Sequence, residues 1–218
     1  MIFRKISGGL SLFFFTITCF SQTENLVRRD TVSSDLRTSY NSSLIYPGIR
    51  VGIEFPVYFV CVKKNFDSEV PKIISKGRFI SMNAGWYHQT NFHDNLYFTA
   101  EWTMRRTKEN GFFTEFSSGF GCSRTFLGAT TYETDNTGGV DIIKSAGYKY
   151  AMIIVGGGLG YDFSKKKEIP LSIFYKFEMM GMFPYNSTLY FRPAMELGVI
   201  YKPINFIPFL IKTRVKTK

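Results

Sequence analysis

The chain has 218 residues, which suits a single domain, and 17% of them are aromatic. Its formal charge of +10 is dispersed along the chain rather than gathered in one patch, which argues against a nucleic-acid partner. Two histidines and three cysteines stand at no metal-ligand spacing, so the sequence predicts no metal and no other cofactor.

Residues 1–21 have the layout of a secretory signal peptide. Arg4 and Lys5 form its charged start, an apolar stretch follows, and small residues precede the expected cut. Acylation of Cys19, as in a lipoprotein, is an alternative that the preceding threonine disfavours. No later segment is apolar over the length of a membrane helix, which argues against a helical membrane protein.

The clearest pattern is an alternation of period two between residues 95 and 106, which is the period of a β-strand. One face carries Leu96, Phe98, Ala100, Trp102 and Met104, and the other carries Tyr97, Thr99, Glu101, Thr103 and Arg105. Further strands of this kind are predicted at residues 45–59, 78–88, 112–126, 148–163, 170–183 and 188–202. The predicted fold class is an all-β, antiparallel, up-and-down transmembrane β-barrel of eight strands.

Bacterial outer-membrane barrels usually have an even number of strands, so one strand remains to be found. Residues 205–215 could supply it; alternatively, a strand within 25–43 closes the sheet and 204–218 are a tail. The aromatic-ended segment 195–201 is typical of a last strand and favours the second option. The predicted organisation is a signal peptide at 1–21, a polar N-terminal leader at 22–43, a β-barrel at 44–203, and a final strand or C-terminal tail at 204–218.

Prolines mark irregular positions in the predicted strands, because proline cannot donate to a strand ladder. Pro47 and Pro56 lie near the ends of the first strand, where this is tolerated. Pro193 lies inside the last strand and predicts a bulge there.

The second face of the predicted strands carries both signs of charge: Arg50, Glu54, Glu101, Arg105, Glu115, Lys176, Glu178, Arg192 and Glu196. Inside a narrow barrel such charges are costly unless they pair, so we expect an ion-pair network in the lumen. Glycines on the same face would make room for these large side chains. A soluble lipocalin-like barrel would show the same alternation with its faces exchanged. Aromatic residues near the strand ends favour the membrane barrel.

Several short segments resemble small outer-membrane β-barrel proteins of the Bacteroidetes type. They are residues 46–52, the connection 87–93, Arg105-Arg106-Thr107, residues 123–127, Leu159-Gly160-Tyr161-Asp162, and residues 198–202. The resemblance covers residues 44–203 and implies a barrel in the outer membrane, in a family without an assigned activity. The chain departs from it in the tail 204–218.

Two pairs of residues could support catalysis, and each has a simpler interpretation. His88 and His93, beside Asp94, could activate a nucleophile as in lipid-modifying barrels. No serine stands at a recognisable spacing, so polar hairpin residues at the headgroup level are favoured. Glu101 and Glu115 could form an acid–base pair, although nearby arginines favour neutralised ion pairs.

Three other features have no catalytic interpretation. The glycine-rich run 156–160 is not a phosphate-binding loop, because it lies inside a predicted strand with no helix after it. Lysines at 63–64 and 165–167 are expected in solvated turns and could also contact lipid phosphates. A disulfide between Cys61 and Cys122 is compatible with an oxidising compartment, and the sequence leaves it open.

The predicted function is a structural or surface-interaction role in the outer membrane of a Gram-negative cell, without catalysis. Outer-membrane lipid is the expected partner, including headgroup contacts; nucleic acid is not expected, and no partner protein can be named. A narrow pore for small solutes or ions and a lipid-modifying enzyme remain as alternatives. The charge-filled inner face argues against a wide pore, and the missing catalytic spacing argues against the enzyme.

Overall fold

The computed structural model describes residues 25–43, 46–64, 72–90, 92–134, 139–185 and 188–217. The predicted signal peptide at 1–21, with Cys19, lies outside these residues. Within the described ranges, no helix has the length and apolar character needed to cross a membrane.

Most of the described chain is in β-strands. In chain order they are β1 (Asn25–Ser33), β2 (Asp35–Ser42), β3 (Gly48–Lys64), β4 (Lys72–Gln89), β5 (His93–Lys108), β6 (Phe112–Leu127), β7 (Thr131–Thr134), β8 (Val140–Ile143), β9 (Lys149–Asp162), β10 (Leu171–Tyr185), β11 (Thr188–Tyr201) and β12 (Pro208–Thr217). A short 3₁₀ helix, Phe163–Lys165, follows β9.

Eight of these strands close into a ring in the order β2, β3, β4, β5, β6, β9, β10, β11 and back to β2. Each strand of the ring is antiparallel to both of its ring neighbours. Apart from β11 and β2, whose pairing closes the ring, the ring neighbours follow one another in the chain, with the small β7–β8 hairpin inserted between β6 and β9. The predicted eight-stranded, antiparallel, up-and-down barrel is therefore confirmed.

The two ends of the barrel differ in what they carry. One, called the hairpin end, carries the β7–β8 hairpin and the short connections that follow β2, β4 and β10. The opposite end, called the tail end, carries β1, β12 and the connections that follow β3, β5 and β9.

The strand that completes the ring is β2, which lies in the segment predicted to be a polar leader. It pairs with β3 on one side and with β11 on the other. Of the two options that the sequence left open, the ring thus uses the strand within 25–43. The strand looked like a leader because its lumen-facing side chains, Arg37, Ser39 and Asn41, are polar and buried.

The other candidate for the eighth strand, β12, lies outside the ring. It runs parallel to β3 at residues 58–63 and antiparallel to β1. The register of β3 against β4 shifts between Pro56 and Tyr58. Beyond this irregularity β3 no longer pairs with β2, and β12 lies beside it instead.

The proline prediction was wrong about where the irregularity lies. Pro193 pairs in regular register with β10, and the shift between β10 and β11 comes only between Met182 and Tyr185. Because β2 pairs with β11 only from Met195 onward, Pro193 lies where that side of β11 has no ladder with β2.

The apolar side chains of the alternating pattern face outward. Phe98 and Trp102 are 53% and 37% exposed, whereas Glu101 and Arg105 between and beyond them are buried. The same orientation continues round the ring, where the exposed residues include Ile49, Val51, Met82, Phe120, Ile153, Leu159, Ile173, Phe177 and Leu197. The exchanged orientation of a lipocalin-like barrel is therefore excluded.

Candidate functional site

The interior section nearer the tail end holds a ring of alternating charges. Arg37 Nη1 lies 2.8 Å from Glu54 Oε1, and its Nη2 lies 2.8 Å from Glu115 Oε1. Arg105 Nη2 lies 2.8 Å from Glu54 Oε2 and 2.9 Å from Glu115 Oε2. Each of the two carboxylates is thus shared by both guanidinium groups, which are supplied by β2 and β5.

The next section toward the hairpin end holds a second group of ion pairs. Arg50 Nη1 lies 2.7 Å from Glu178 Oε2 and 3.4 Å from Glu196 Oε2. Arg50 Nη2 also pairs with Glu101. Lys176 Nζ lies 3.0 Å from Glu101 Oε2 and contacts Glu178 as well. Four strands of the barrel, β3, β5, β10 and β11, meet through these side chains.

The two groups are connected through Glu196. Its Oε1 lies 3.6 Å from Arg37 Nε and accepts a hydrogen bond of 2.6 Å from Ser39 Oγ. The combined set, called the plug, therefore consists of Arg37, Arg50, Arg105, Lys176, Glu54, Glu101, Glu115, Glu178 and Glu196.

Glycines on the inner face leave room for the side chains of the plug, as predicted from the sequence. A Cβ built on Gly156 would lie 2.9 Å from carbons of both Lys176 and Glu178. A Cβ on Gly119 would lie 2.7 Å from Glu101 Cγ. Side chains at these positions would displace the charged groups, so the second-face glycines are part of the packing of the plug.

Apolar layers close the plug on both sides. Toward the tail end, the Arg37 guanidinium carbon lies 3.7 Å from the ring centroid of Phe174, and that of Arg105 lies 4.8 Å from Phe79. Toward the hairpin end lies a cluster of buried residues that includes Tyr97, Met152, Ile154, Met180 and Ala194. Since Glu54, Glu178 and Glu196 are 0% exposed, water does not reach the centre of the barrel from either end.

All of the residues predicted for the lumen network make these ion pairs except Arg192. Arg37 is the residue that the sequence analysis missed, because it lies in the segment interpreted as a leader. Its signal was available: Leu36, Thr38 and Tyr40 alternate with Arg37, Ser39 and Asn41 in the same period of two.

Above the apolar layer, the barrel opens at the hairpin end into a cavity of about 380 Å³, called the vestibule. Its lining comes from several strands and their connections: Tyr46, Tyr87, Gln89, Phe92, His93, Thr125, Leu127, Tyr148, Tyr150, Met182, Tyr190 and Arg192. The lining is dominated by aromatic rings, and it contains no carboxylate among the described residues.

Arg192 belongs to the vestibule rather than to the plug. It is 1% exposed, and its guanidinium carbon lies 3.5 Å from the ring centroid of Tyr87 and 5.4 Å from that of Tyr46. Among the described residues, none accepts a hydrogen bond of normal length and angle from its Nε, Nη1 or Nη2, and its polar interaction is with the nearby Tyr87 hydroxyl. Along β11, Ala194 separates Arg192 from Glu196 of the plug.

The two histidines lie at the rim of the same end. His88 Nδ1 lies 2.8 Å from Asp94 Oδ1, and both side chains are nearly half exposed. The Trp86 ring stacks on His88 with a centroid distance of 6.2 Å. His93 lies in the vestibule wall. The histidine–carboxylate half of a triad is therefore present, but no serine is bonded to His88 among the described hydrogen bonds.

The other candidate groups lie where their simpler interpretations put them. Glu101 and Glu115 are each held by their own pair of cations in the plug. Residues 156–160 lie inside β9, and residues 165–167 are exposed at the tail end. The expectation of a turn was wrong for Lys63 and Lys64, which end β3 and pair with β4, because that strand continues beyond the predicted end at residue 59. Cys61 and Cys122 are both free thiols. Within the described residues, no cluster of three or more histidine, cysteine, aspartate or glutamate side chains could hold a metal ion.

A closed antiparallel ring with an apolar outside and a charged, filled inside defines a transmembrane β-barrel of eight strands. No family model and no curated protein matches the chain. Among solved structures, the crystal structure of Neisserial surface protein A (NspA) matches 81% of this chain and 99% of that chain. The sequence identity is 14% and the TM-score is 0.36, so this likeness carries no statement about function.

Proposed function

We propose that this protein is an outer-membrane barrel with a sealed interior that acts through its ends, in a structural or surface-interaction role and without catalysis. The observation that carries the proposal is the polarity of the barrel: apolar side chains outside and paired charges inside. In hydrocarbon, every backbone donor and acceptor must be satisfied internally, and a closed ring of strands does this.

The lengths of the connections at the two ends support one orientation of the barrel in the membrane. Outer-membrane barrels have short periplasmic turns and longer extracellular loops. The longest connection in the ring, between β6 and β9, lies at the hairpin end. We therefore propose that the hairpin end faces the cell exterior. The exposed lysines 165–167 would then lie near the lipid headgroups on the periplasmic side.

The plug argues against the pore alternative. A conducting path would have to pass between carboxylates and guanidinium groups that are almost completely buried and bonded to one another. Buried ion pairs of this kind resist opening, because removing one partner leaves an uncompensated charge.

Planar-bilayer recording on the purified, folded protein tests the sealed interior. We expect no stepwise currents from the natural protein. A general porin recorded in the same bilayer is the positive control and should conduct. Stepwise currents from the natural protein would overturn the sealed barrel.

Membrane fractionation tests the location. We expect the protein in the outer-membrane fraction, with a gel mobility that changes on heating. Protease added to intact cells should cut between residues 128 and 148. A soluble product whose mobility is insensitive to heat would contradict the membrane assignment, and cutting only at the tail end would reverse the orientation.

A further inference from the structure

Arg192 differs from the other buried cations that the structure describes inside the barrel. Arg37, Arg50 and Arg105 each contact at least two carboxylates. Arg192 is as deeply buried as these, yet no described residue accepts a hydrogen bond from any of its three nitrogens. A buried charge with unmade hydrogen bonds is costly, and in a native structure it calls for a specific explanation.

The geometry leaves the donors of Arg192 available to a ligand. The Tyr87 ring covers a face of the guanidinium group at 3.5 Å. The N–H bonds of a guanidinium lie in its own plane, so a ring stacked on the face does not use them. An oxyanion that approaches in this plane could accept two parallel hydrogen bonds without displacing the tyrosine.

The vestibule around Arg192 has the size and lining of a small-molecule site. Its volume of about 380 Å³ lies at the lower end of the usual range for ligand pockets. Inorganic anions would fill little of this volume. The tyrosine, phenylalanine and methionine side chains of the walls offer apolar and aromatic surface to a larger body, and no carboxylate in the described lining would repel an anion.

We propose that the vestibule binds a small organic acid, whose oxyanion pairs with Arg192 and whose ring packs between the tyrosines. The bound oxyanion would be a carboxylate or a phosphate, both of which fit the guanidinium group in the same way. This site goes beyond the proposed function and does not depend on it, because the vestibule is formed by the barrel itself in any environment.

Binding to the folded protein in detergent micelles tests the site, with heat-dependent gel mobility as the check of folding for every variant. The probes are benzoate, phenyl phosphate, glucuronate, inorganic phosphate and the neutral benzyl alcohol, measured by calorimetry. We expect at least one of the ring acids to bind at least tenfold more tightly than both benzyl alcohol and inorganic phosphate. The preferred probe identifies the headgroup and the kind of ring.

Variants tie the binding to Arg192. Arg192→Gln should weaken binding of the preferred probe at least tenfold, and Arg192→Lys should weaken it less, because it keeps the charge but loses the paired donors. The matched control is Arg124→Gln, since Arg124 is an arginine of the same end that faces outward. In the natural protein, the side-chain NMR signals of Arg192 should shift on titration, which tests the site even if a variant fails to fold.

Three results would overturn the proposal. The first is the absence of any shift of the Arg192 signals with all of the ring acids at saturating concentration. The second is binding that Arg192→Gln and Arg124→Gln weaken equally. The third is an affinity for inorganic phosphate that equals or exceeds the affinity for every ring acid, because the walls would then contribute nothing. A conducting natural protein would contradict the sealed barrel and leave this result unaffected.

Discussion

A buried arginine has different surroundings in the plug and in the vestibule. Arg50 and Arg192 are 2% and 1% exposed, and both point into the same barrel. Arg50 is surrounded by Glu101, Glu178 and Glu196, whereas Arg192 has aromatic faces and no described hydrogen-bond acceptor. Burial alone therefore does not define the role of a charge: the paired charges fill the barrel and connect its strands, whereas the donors of Arg192 are left unused.

The largest effect should come from breaking the plug at Glu54, which two arginines share. Glu54→Ala leaves Arg37 and Arg105 each without one of their partners in a dry interior. We expect a loss of about 3–5 kcal/mol in the free energy of unfolding, measured by urea titration in vesicles. Glu133→Ala, in the exposed β7 strand, is the matched control and should change stability by less than about 0.5 kcal/mol. Similar losses in the two variants would mean that the ion pairs do not hold the barrel.

A somewhat smaller loss of stability is expected from placing a charge on the outside of the barrel. Phe98→Lys places a charge on the outer face midway along β5, where we expect hydrocarbon. The variant should lose about 2–4 kcal/mol in the same titration. Ile142→Lys, in the β8 strand at the hairpin end, should have little effect because that strand lies outside the ring. A tolerated Phe98→Lys would show that this face does not meet lipid.

A smaller effect is expected from crowding the layer between the plug and the vestibule. A Cβ on Gly85 would lie 2.1 Å from Tyr97 Cζ, and the Tyr97 ring is completely buried. Gly85→Ala should therefore cost about 1–3 kcal/mol, because the ring has to move in a packed core. At Gly157, on the outer face, the nearest described atom would be 3.8 Å away, and Gly157→Ala should be nearly neutral. Equal effects at the two glycines would contradict the packing of Tyr97.

The smallest change in stability is expected at Arg192. Arg192→Leu removes a buried charge that has no described hydrogen-bond acceptor, so the free energy of unfolding should change by about 1 kcal/mol or less, the stacking on Tyr87 being the main loss. Arg50→Leu leaves several carboxylates without their partner and should cost about 3 kcal/mol or more. Both losses are measured by unfolding titration. Equal losses would contradict the distinction between a paired and an unpaired buried arginine.

The alternation of side chains was sufficient to predict most of the ring and which residues share a face. It works because each strand of a membrane barrel has one apolar and one polar side, and the period of two separates them. The strand β2 was expected only as an unplaced strand within 25–43, because it is short and its outward side chains, Leu36, Thr38 and Tyr40, are less uniformly apolar than those of β5.

The site was predictable only in part, for a physical reason. Periodicity assigns a residue to a face but not to a height along the barrel axis, and the height decides whether a charge meets a partner. Arg192 and Glu196 share a face of β11, yet only Glu196 lies level with the plug. The vestibule depends on Tyr46, Tyr87 and Tyr190 from separate strands and connections, and their approach could not be read from any one segment.

The position of β12 beside β3 has a consequence for how the molecule forms. At the tail end, β1, β12 and the far half of β3 form a seam beside the ring, from three segments that are distant from one another in the sequence. Contacts across long stretches of chain need a large loss of conformational entropy before they contribute any stability, and they form slowly. We therefore expect the hairpins β3–β4, β4–β5 and β10–β11 to assemble early. The three-segment seam should form late, as should the β2–β11 pairing, which joins the two ends of the ring across most of the chain.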